Sequence, residues 1–360
     1  MKLEELNSHS QNLESLEMPE SIRTPGRTWT RYPEEITELE DVEEVEPRVE
    51  TEGDVDVYTG DEAVERAGEK LFDLISPDEN RLTALHSSKL NSLVYVKASG
   101  ASEVHVKYSE EGAVLSHLVV EAEKNSDVVV TEETENEGFN SSFTEIYIEE
   151  NASVEYGAVE KPGDFSYSRR KAISEKYGSI KWLNGIFAGN LNRTKIESVL
   201  KGNNSETEMT GVWYPTDKQH HDISLQAKHI GDNTKCDMDS RSVVDHKARS
   251  LYEGLQKVEE DALETSSFQD QETLMLSEGA ESDASPKLMI EDPNVEASHA
   301  AAAGTVEEDK QHYLESRGMD EEQAERLVVQ GFFEPVMSEI KVPRIKKRIR
   351  REVQRKLDSK

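Results

Sequence analysis

Between about Leu93 and Leu288 the chain consists of short segments in which apolar and polar residues alternate, such as LVYVKA, EVHVKYS and SVEYGAVE. A period of two, bounded by Gly, Asn and Asp, is typical of β-strands that bury one face. No stretch of helix length interrupts these segments. The pattern therefore predicts a mostly β domain.

An internal repeat indicates how the strands are arranged. A turn-forming residue followed by a small residue recurs, and successive small residues lie 25 to 29 positions apart. The pairs are Gly100-Ala101, Asn125-Ser126, Asn151-Ala152, Gly178-Ser179, Asn204-Ser205, Asn233-Thr234 and Asp261-Ala262. This step suits one coil of a solenoid, and Asn, Asp and Gly tolerate the left-handed backbone of a corner. We expect a parallel β-helix, with an antiparallel sandwich as the alternative.

The ends of the chain differ from the repeat region. Residues 1–60 are rich in Glu, Asp, Ser, Thr and Pro, so we expect an acidic arm that is flexible or loosely docked. Residues 61–92 form a short helical lead-in, in which DEAVERAGEKLFDLI has helical spacing up to Ile75. The β-helix core is then expected at 93–306, followed by a C-terminal helical domain at 307–360.

The C-terminal domain carries explicit helix signals. Gly318 is expected to end a first helix, and Asp320 with Gln323 forms a capping box that opens a second. Ala324, Leu327 and Val328 are the predicted buried face of that second helix. A basic terminal helix with one apolar stripe follows, formed by Ile345, Ile349, Val353 and Leu357.

The charge balance limits the partners. The formal net charge of −33 argues against broad binding of nucleic acid, because phosphates would be repelled. The terminal helix is the exception, since ten Lys and Arg between Lys341 and Lys360 face only Glu352 and Asp358. We expect this helix to neutralise an acidic body or partner rather than to bind nucleic acid or a membrane. The sequence shows no secretory signal and no membrane span, which predicts a cytoplasmic protein.

Candidate chemistry is sparse. A single cysteine, Cys236, excludes an internal disulfide and a thiolate cage built by this chain alone. Phosphate-binding loops, nucleophile elbows and zinc-binding helices are absent from the sequence, so we do not expect an enzyme. The candidate metal ligands are histidines: His299 in VEASHAAAAG and, more weakly, His220, His221 and His229 in HHDISLQAKH.

From about Lys201 to Ile340 the sequence resembles the SufB/SufD family of iron–sulfur cluster assembly proteins, and the SufD branch in particular. The matching segments are KQHHDISLQAKH, SRSVVDHKARSLYEGLQKV, TLMLSEGAESDASPKLMIEDPNVEASHAAAAG and EEDKQHYLESRGMDEEQAERLVVQGF. The resemblance implies a right-handed parallel β-helix that acts as a non-enzymatic scaffold. It also implies two partners, a SufB-like β-helix subunit or a second copy of the chain, and a SufC-like ATPase.

The resemblance assigns roles to particular residues. It places His299 at an interface between two β-helix subunits, where it would face a cysteine of the SufB-like partner. That cysteine is missing from this chain, because the corresponding place falls near Gln271 and Glu272. No cofactor is therefore expected to be bound stably by the chain alone, and iron or an iron–sulfur cluster would be held transiently at the interface.

The ATPase would dock on the C-terminal helical region. The candidate contact residues are Tyr313, Arg317, Gly318, Leu327, Phe332 and Phe333. The alternative function is a carbohydrate-active enzyme on a β-helix, similar to a polysaccharide lyase, which would use clustered acidic calcium ligands.

Overall fold

The computed structural model describes residues 13–21, 23, 24, 27, 28, 30–33, 36, 39 and 42–358. The short strands β1 (Arg23–Thr24) and β2 (Arg27–Thr28) pair with each other and precede β3 (Arg48–Thr59). Fifteen further strands form the body of the molecule. They are β4 (Ser92–Glu110), β5 (Val114–Ala122), β6 (Asp127–Asn136), β7 (Asn140–Ile148), β8 (Ser153–Pro162), β9 (Phe165–Ser174), β10 (Ser179–Ile186), β11 (Leu191–Leu200), β12 (Glu206–Trp213), β13 (His220–His229), β14 (Lys235–Val244), β15 (Arg249–Val258), β16 (Thr265–Met275), β17 (Glu281–Ile290) and β18 (Val295–Thr305).

Helices lie before and after these strands. The α-helices are α1 (Gly60–Ala67), α2 (Arg81–Ser88), α3 (Glu308–Ser316), α4 (Glu321–Glu339) and α5 (Pro343–Asp358). Single 3₁₀ turns lie at Leu13–Ser15 and Gly68–Lys70.

The fifteen strands stack into a parallel solenoid of about eight coils. Odd-numbered strands from β5 to β17 form one stack and even-numbered strands from β6 to β18 form the other. Strand β4 begins both, because its first half pairs with β5 and its second half with β6. Every pairing from β4 onward along these stacks is parallel. The predicted parallel β-helix is confirmed, and the antiparallel sandwich is excluded.

The main core fills the lumen between the two stacks. Alternate residues of each strand point inward, and in-register pairing places equivalent inward residues above one another from coil to coil. One such column runs from Val130 through Tyr156, Trp182 and Met209 to Met238, all fully or almost fully buried. Burial of these large side chains at about 25 cal/mol per Å² of apolar surface is the main stabilising contribution.

The corners explain the repeat, with two corrections. Asn125, Asn151, Asn204 and Asn233 adopt φ between +56° and +63°, as a left-handed corner requires. At the fourth predicted corner it is Tyr177, with φ +58°, that turns the chain, one residue before the expected glycine. The first predicted corner, at residues 100 and 101, is no corner, because strand β4 continues through it.

The end of the segment predicted as a flexible or loosely docked arm over residues 1–60 forms a strand of the sheet. Strand β3 pairs antiparallel with β4 along most of its length, with a bulge between Gly53 and Val55. The predicted helix also ends early, because α1 stops at Ala67 and Gly68 adopts φ +54°. Its Ala63, Val64 and Ala67 pack against the first coil.

Helices α4 and α5 cover the outer face of the even stack. The predicted capping box is present, since the Asp320 carboxylate accepts a hydrogen bond from the Gln323 backbone N–H and the Gln323 amide accepts one in return. The predicted buried face is only partly right, because Leu327 is 43% exposed while Val329 and Phe333 are buried. The four residues of the apolar stripe in α5 are buried as predicted.

Candidate functional site

The terminal coil, β17 and β18, is the open end of the solenoid. Strand β17 pairs only with β15, and β18 pairs only with β16. Within the described part of the chain, no other strand continues either stack. Each strand therefore presents a free row of backbone N–H and C=O groups, and an uncapped solenoid exposes the apolar residues of its last coil.

The inward-facing side chains of this coil form what we call the end layer. Its members include Ser282, Ala284, Pro286, Leu288, Ile290, Val295, Ala297, His299, Ala301 and Ala303. Their partners one coil below, such as Tyr252 and Gln271, are buried, whereas the end layer is half-buried or exposed. The end layer thus consists of lumen residues that no further coil buries.

His299, the strongest candidate ligand from the sequence, is the histidine of the end layer. Its backbone pairs with Gln269, which in turn pairs with Met238, so the imidazole tops the column of inward residues described above. The Gln269 amide is buried and reaches across the lumen to Gly254, where an added Cβ would lie 2.1 Å from Nε2. A glycine is therefore required at that position for the amide to occupy this layer.

The two adjacent histidines lie on opposite sides of strand β13. His221 is fully buried on the lumen side, and burial lowers the pKa of its imidazole well below the usual value. His220 lies on the outer side with Asp222, and burial lowers its pKa as well. Asp222 is also buried and forms an ion pair with Arg193, with Nη1 and Oδ1 2.5 Å apart.

The third weak candidate is a lumen residue held by hydroxyl groups. His229 Nδ1 lies 2.8 Å from Thr234 Oγ1 and its Nε2 lies 3.2 Å from Ser267 Oγ. Burial lowers the pKa of His229 to about 4. Among the residues that the structure describes, no three His, Cys, Asp or Glu side chains are placed to hold one metal ion.

The cysteine is separate from His299. Cys236 is buried in β14, two strands below the end layer and in the neighbouring column, which contains Ser267 and Ala297. Burial raises the pKa of its thiol to about 12. A protonated, enclosed thiol is a poor nucleophile and a poor metal ligand, so the geometry agrees with the interpretation of Cys236 as a small core residue.

The residues predicted to contact an ATPase divide into three groups. Tyr313, Leu327 and Phe332 line a groove of about 770 Å³ between β18 and helices α3 and α4. Phe333 instead packs inside the helical core, with its ring centroid 6.4 Å from that of the buried Tyr214.

The other two predicted contact residues lie at the end of α3. Arg317 covers the exposed Tyr313 ring at 5.1 Å, and Gly318 has φ +95°. Arg317 therefore adjoins the groove through its contact with Tyr313, which lines the groove together with Leu327.

The sequence analysis did not single out the apolar residues of the end layer as exposed. Leu288 and Ile290 continue the alternating pattern and look like ordinary core residues. The available signal was the absence of a further coil after β18, because the last coil of a solenoid must leave its inward residues uncovered unless a cap follows.

None of the helices in the described ranges is long and apolar enough to cross a membrane.

Comparison with known proteins agrees with this architecture. The family profile described as "SUF system FeS cluster assembly, SufBD core domain" matches residues 105–332. The chain is 31% identical over 306 residues to the iron–sulfur cluster assembly protein SufD of Bacillus subtilis, which covers 80% of this chain and 70% of that protein.

Two mycobacterial relatives are more distant. The chain is 26% identical over 319 residues to an iron–sulfur cluster assembly SufBD family protein of Mycobacterium bovis, covering 84% of this chain and 80% of the relative. It spans only 24% of the length of a second such protein of the same organism, at 26% identity. The chain therefore belongs to the SufB/SufD family of iron–sulfur cluster assembly proteins and is SufD-like.

Proposed function

We propose that this chain is a non-enzymatic scaffold subunit for iron–sulfur cluster assembly, which joins a SufB-like β-helix subunit or a second copy through its end layer. The observation that carries the proposal is the uncovered end of the solenoid, with His299 in its inward-facing layer. A second solenoid end would cover the apolar residues and could satisfy the free strand edges.

The role of His299 follows from its position and chemistry. An exposed imidazole at the centre of such an interface offers one nitrogen ligand to iron. A cluster needs about four thiolate or imidazole ligands, so the partner would supply the rest. The cluster is then cargo that forms between two subunits, and separation of the subunits would release it.

A SufC-like ATPase is the second proposed partner, and the groove at α3 and α4 is its docking surface. Tyr313 is 56% exposed and Leu327 is 43% exposed, and both border an apolar groove beside the terminal coil. Aromatic and aliphatic anchors of this kind commonly dominate binding energy. Because α3 follows β18 directly, an ATPase that pulled on α3 would act on the edge of the proposed subunit interface.

Co-purification with SufB-like and SufC-like proteins, followed by anaerobic cluster reconstitution, tests the proposal. We expect Ala301→Arg to abolish pairing, because it places a charge in the end layer, while Leu327→Asp removes only the ATPase. His299→Ala should leave pairing intact and lower cluster loading severalfold. His246→Asn, which changes an exposed histidine outside the end layer, is the matched control.

The outcomes separate the parts of the proposal. Full cluster loading in the His299→Ala complex would remove the ligand role but leave the scaffold role. Normal pairing of the Ala301→Arg variant, with its fold verified by circular dichroism, would contradict the assignment of the end layer as the interface.

A further inference from the structure

The terminal coil carries an excess of uncompensated negative charge. Residues 277–296 contain six carboxylates and one lysine. That lysine, Lys287, pairs with Glu253, and one of the six carboxylates, Glu281, pairs with Arg249. The other five form no ion pair with any residue that the structure describes, and we call them the acidic rim: Glu278, Asp283, Glu291, Asp292 and Glu296.

The acidic rim surrounds the end layer. Glu278 lies in the turn before β17, and Glu291 and Asp292 lie in the turn between β17 and β18. Asp283 lies on the outer side of β17 and Glu296 on the outer side of β18, and each is adjacent in sequence to an end-layer residue. Negative charge therefore lies at both corners and on both faces of the open end.

We propose that the acidic rim selects the partner: it disfavours pairing of two copies of this chain and favours a solenoid end whose apolar layer is surrounded by Lys and Arg. This inference rests on the proposed pairing through the end layer. In a symmetric dimer the same patch meets itself, so rim would face rim. Like charges juxtaposed at an interface are strongly unfavourable, whereas opposite charges speed association and set specificity.

The same physics predicts a dependence on salt. Screening shortens the range of the interaction from about 10 Å at 0.1 M ionic strength to about 3 Å at 1 M. Added salt should therefore weaken the complex with a basic partner and reduce the barrier to self-pairing. These opposite trends distinguish a charge-selected interface from a purely apolar one.

A mixing experiment with the chain itself tests the inference. The reversed-rim variant carries lysine at all five rim positions, Glu278→Lys, Asp283→Lys, Glu291→Lys, Asp292→Lys and Glu296→Lys, and so supplies a basic rim on the same fold. In sedimentation velocity at about 0.05 M NaCl, we expect the parent and the reversed-rim variant to form a one-to-one complex, while each alone stays monomeric. Raising NaCl to about 0.5 M should weaken that complex by about tenfold or more.

The matched control reverses five exposed carboxylates of the first coils, Glu103→Lys, Glu110→Lys, Glu111→Lys, Asp127→Lys and Glu137→Lys, and so has the same net charge. It should not associate with the parent. A parent chain that dimerises at low salt, and loses the dimer with Ala301→Arg, would overturn selection by the rim but keep the end layer as an interface. Absence of the mixed complex would also overturn the inference, and co-purification of Ala301→Arg with the SufB-like protein would then report separately on the pairing proposal.

Discussion

Three histidines in the core are kept neutral by burial. His86, His221 and His229 are all fully buried, and burial lowers the pKa of each imidazole. His86 stacks on Phe143 with ring centroids 3.6 Å apart, and its Nδ1 lies 2.8 Å from Ser141 Oγ. A neutral imidazole suits these environments, whereas a charged one would lack both solvent and a counter-ion.

The residue-scale prediction concerns acid stability. Unfolded His takes up a proton near pH 6.5, whereas His229 in the fold does so near pH 4. Between these values the unfolded state binds more protons, so the free energy of unfolding should fall as pH is lowered from about 6.5 to about 4, by up to about 3 kcal/mol from this residue. His229→Gln should flatten that slope in urea unfolding measured across the pH range.

The control for this prediction removes a contact but keeps the imidazole. Ser267→Ala deletes the hydroxyl 3.2 Å from His229 Nε2. It should lower stability at every pH without flattening the slope. An unchanged slope in His229→Gln would show that the acid sensitivity arises elsewhere.

At the scale of elements, helix α5 combines an apolar stripe with a row of ion pairs. Ile345 and Ile349 approach the sheet where the strands have Gly157 and Gly185, and a Cβ at these glycines would lie 2.4 Å and 3.0 Å from the isoleucine Cγ1 atoms. Arg348 lies 3.2 Å from Glu135 and 3.3 Å from Glu352. The basic helix thus neutralises carboxylates of its own solenoid.

A substitution in α5 tests the value of this contact. Ile349→Ala removes a buried side chain from the interface between helix and sheet, so we expect the free energy of unfolding to fall by about 2–5 kcal/mol. Lys347→Ala, on the exposed side of the same helix, should change it by less than about 0.5 kcal/mol. Chemical denaturation of both variants measures these changes. Equal losses of unfolding free energy in the two variants would contradict the packing described here.

The sequence allowed several elements to be predicted for clear physical reasons. The spacing of corner residues follows directly from coil length, and the stripe of α5 and the capping box of α4 are local signals. Tyr177 was missed because bulky residues seldom adopt a left-handed backbone conformation. The adjacent Gly178 was therefore the expected corner residue. Leu327 was misplaced because helical periodicity shows that one face is apolar, but not how far the sheet beneath it extends.

Strand β3 and the end layer were missed for a different reason. Acidic segments such as that before Gly53 look disordered when only local burial is considered, yet the first coil offers an edge with which β3 can pair. The end layer is exposed because no further coil covers it, and the local sequence of a strand does not show whether another coil follows. For His299, the sequence alone placed the residue on a strand; its place above Gln269 required the register between strands.

The whole molecule is a stack in which each coil is stabilised by its neighbours. Central strands such as β10 pair on both sides, with β8 and β12, whereas β17 and β18 pair on one side only. In such quasi-one-dimensional folds, stability is approximately a sum of coil terms and nearest-neighbour terms. The terminal coil has a stabilising interaction with only one adjacent coil. Its free energy of local opening should therefore be lower than that of the central coils.

Hydrogen exchange of backbone amides measures the local opening of the terminal coil. In the isolated chain, backbone amides of residues 281–305 should exchange at least about tenfold faster than those of residues 179–213, because β10, β11 and β12 pair with a strand on each side, whereas β17 and β18 pair on one side only. Adding a SufB-like partner should slow exchange in residues 281–305 and leave the central coils unchanged, whereas adding it to the Ala301→Arg variant should have no such effect. Uniform protection along the isolated solenoid would mean that the terminal coil is already covered, and a subunit that needed no second solenoid to complete its lumen would have no reason to keep His299 at an interface.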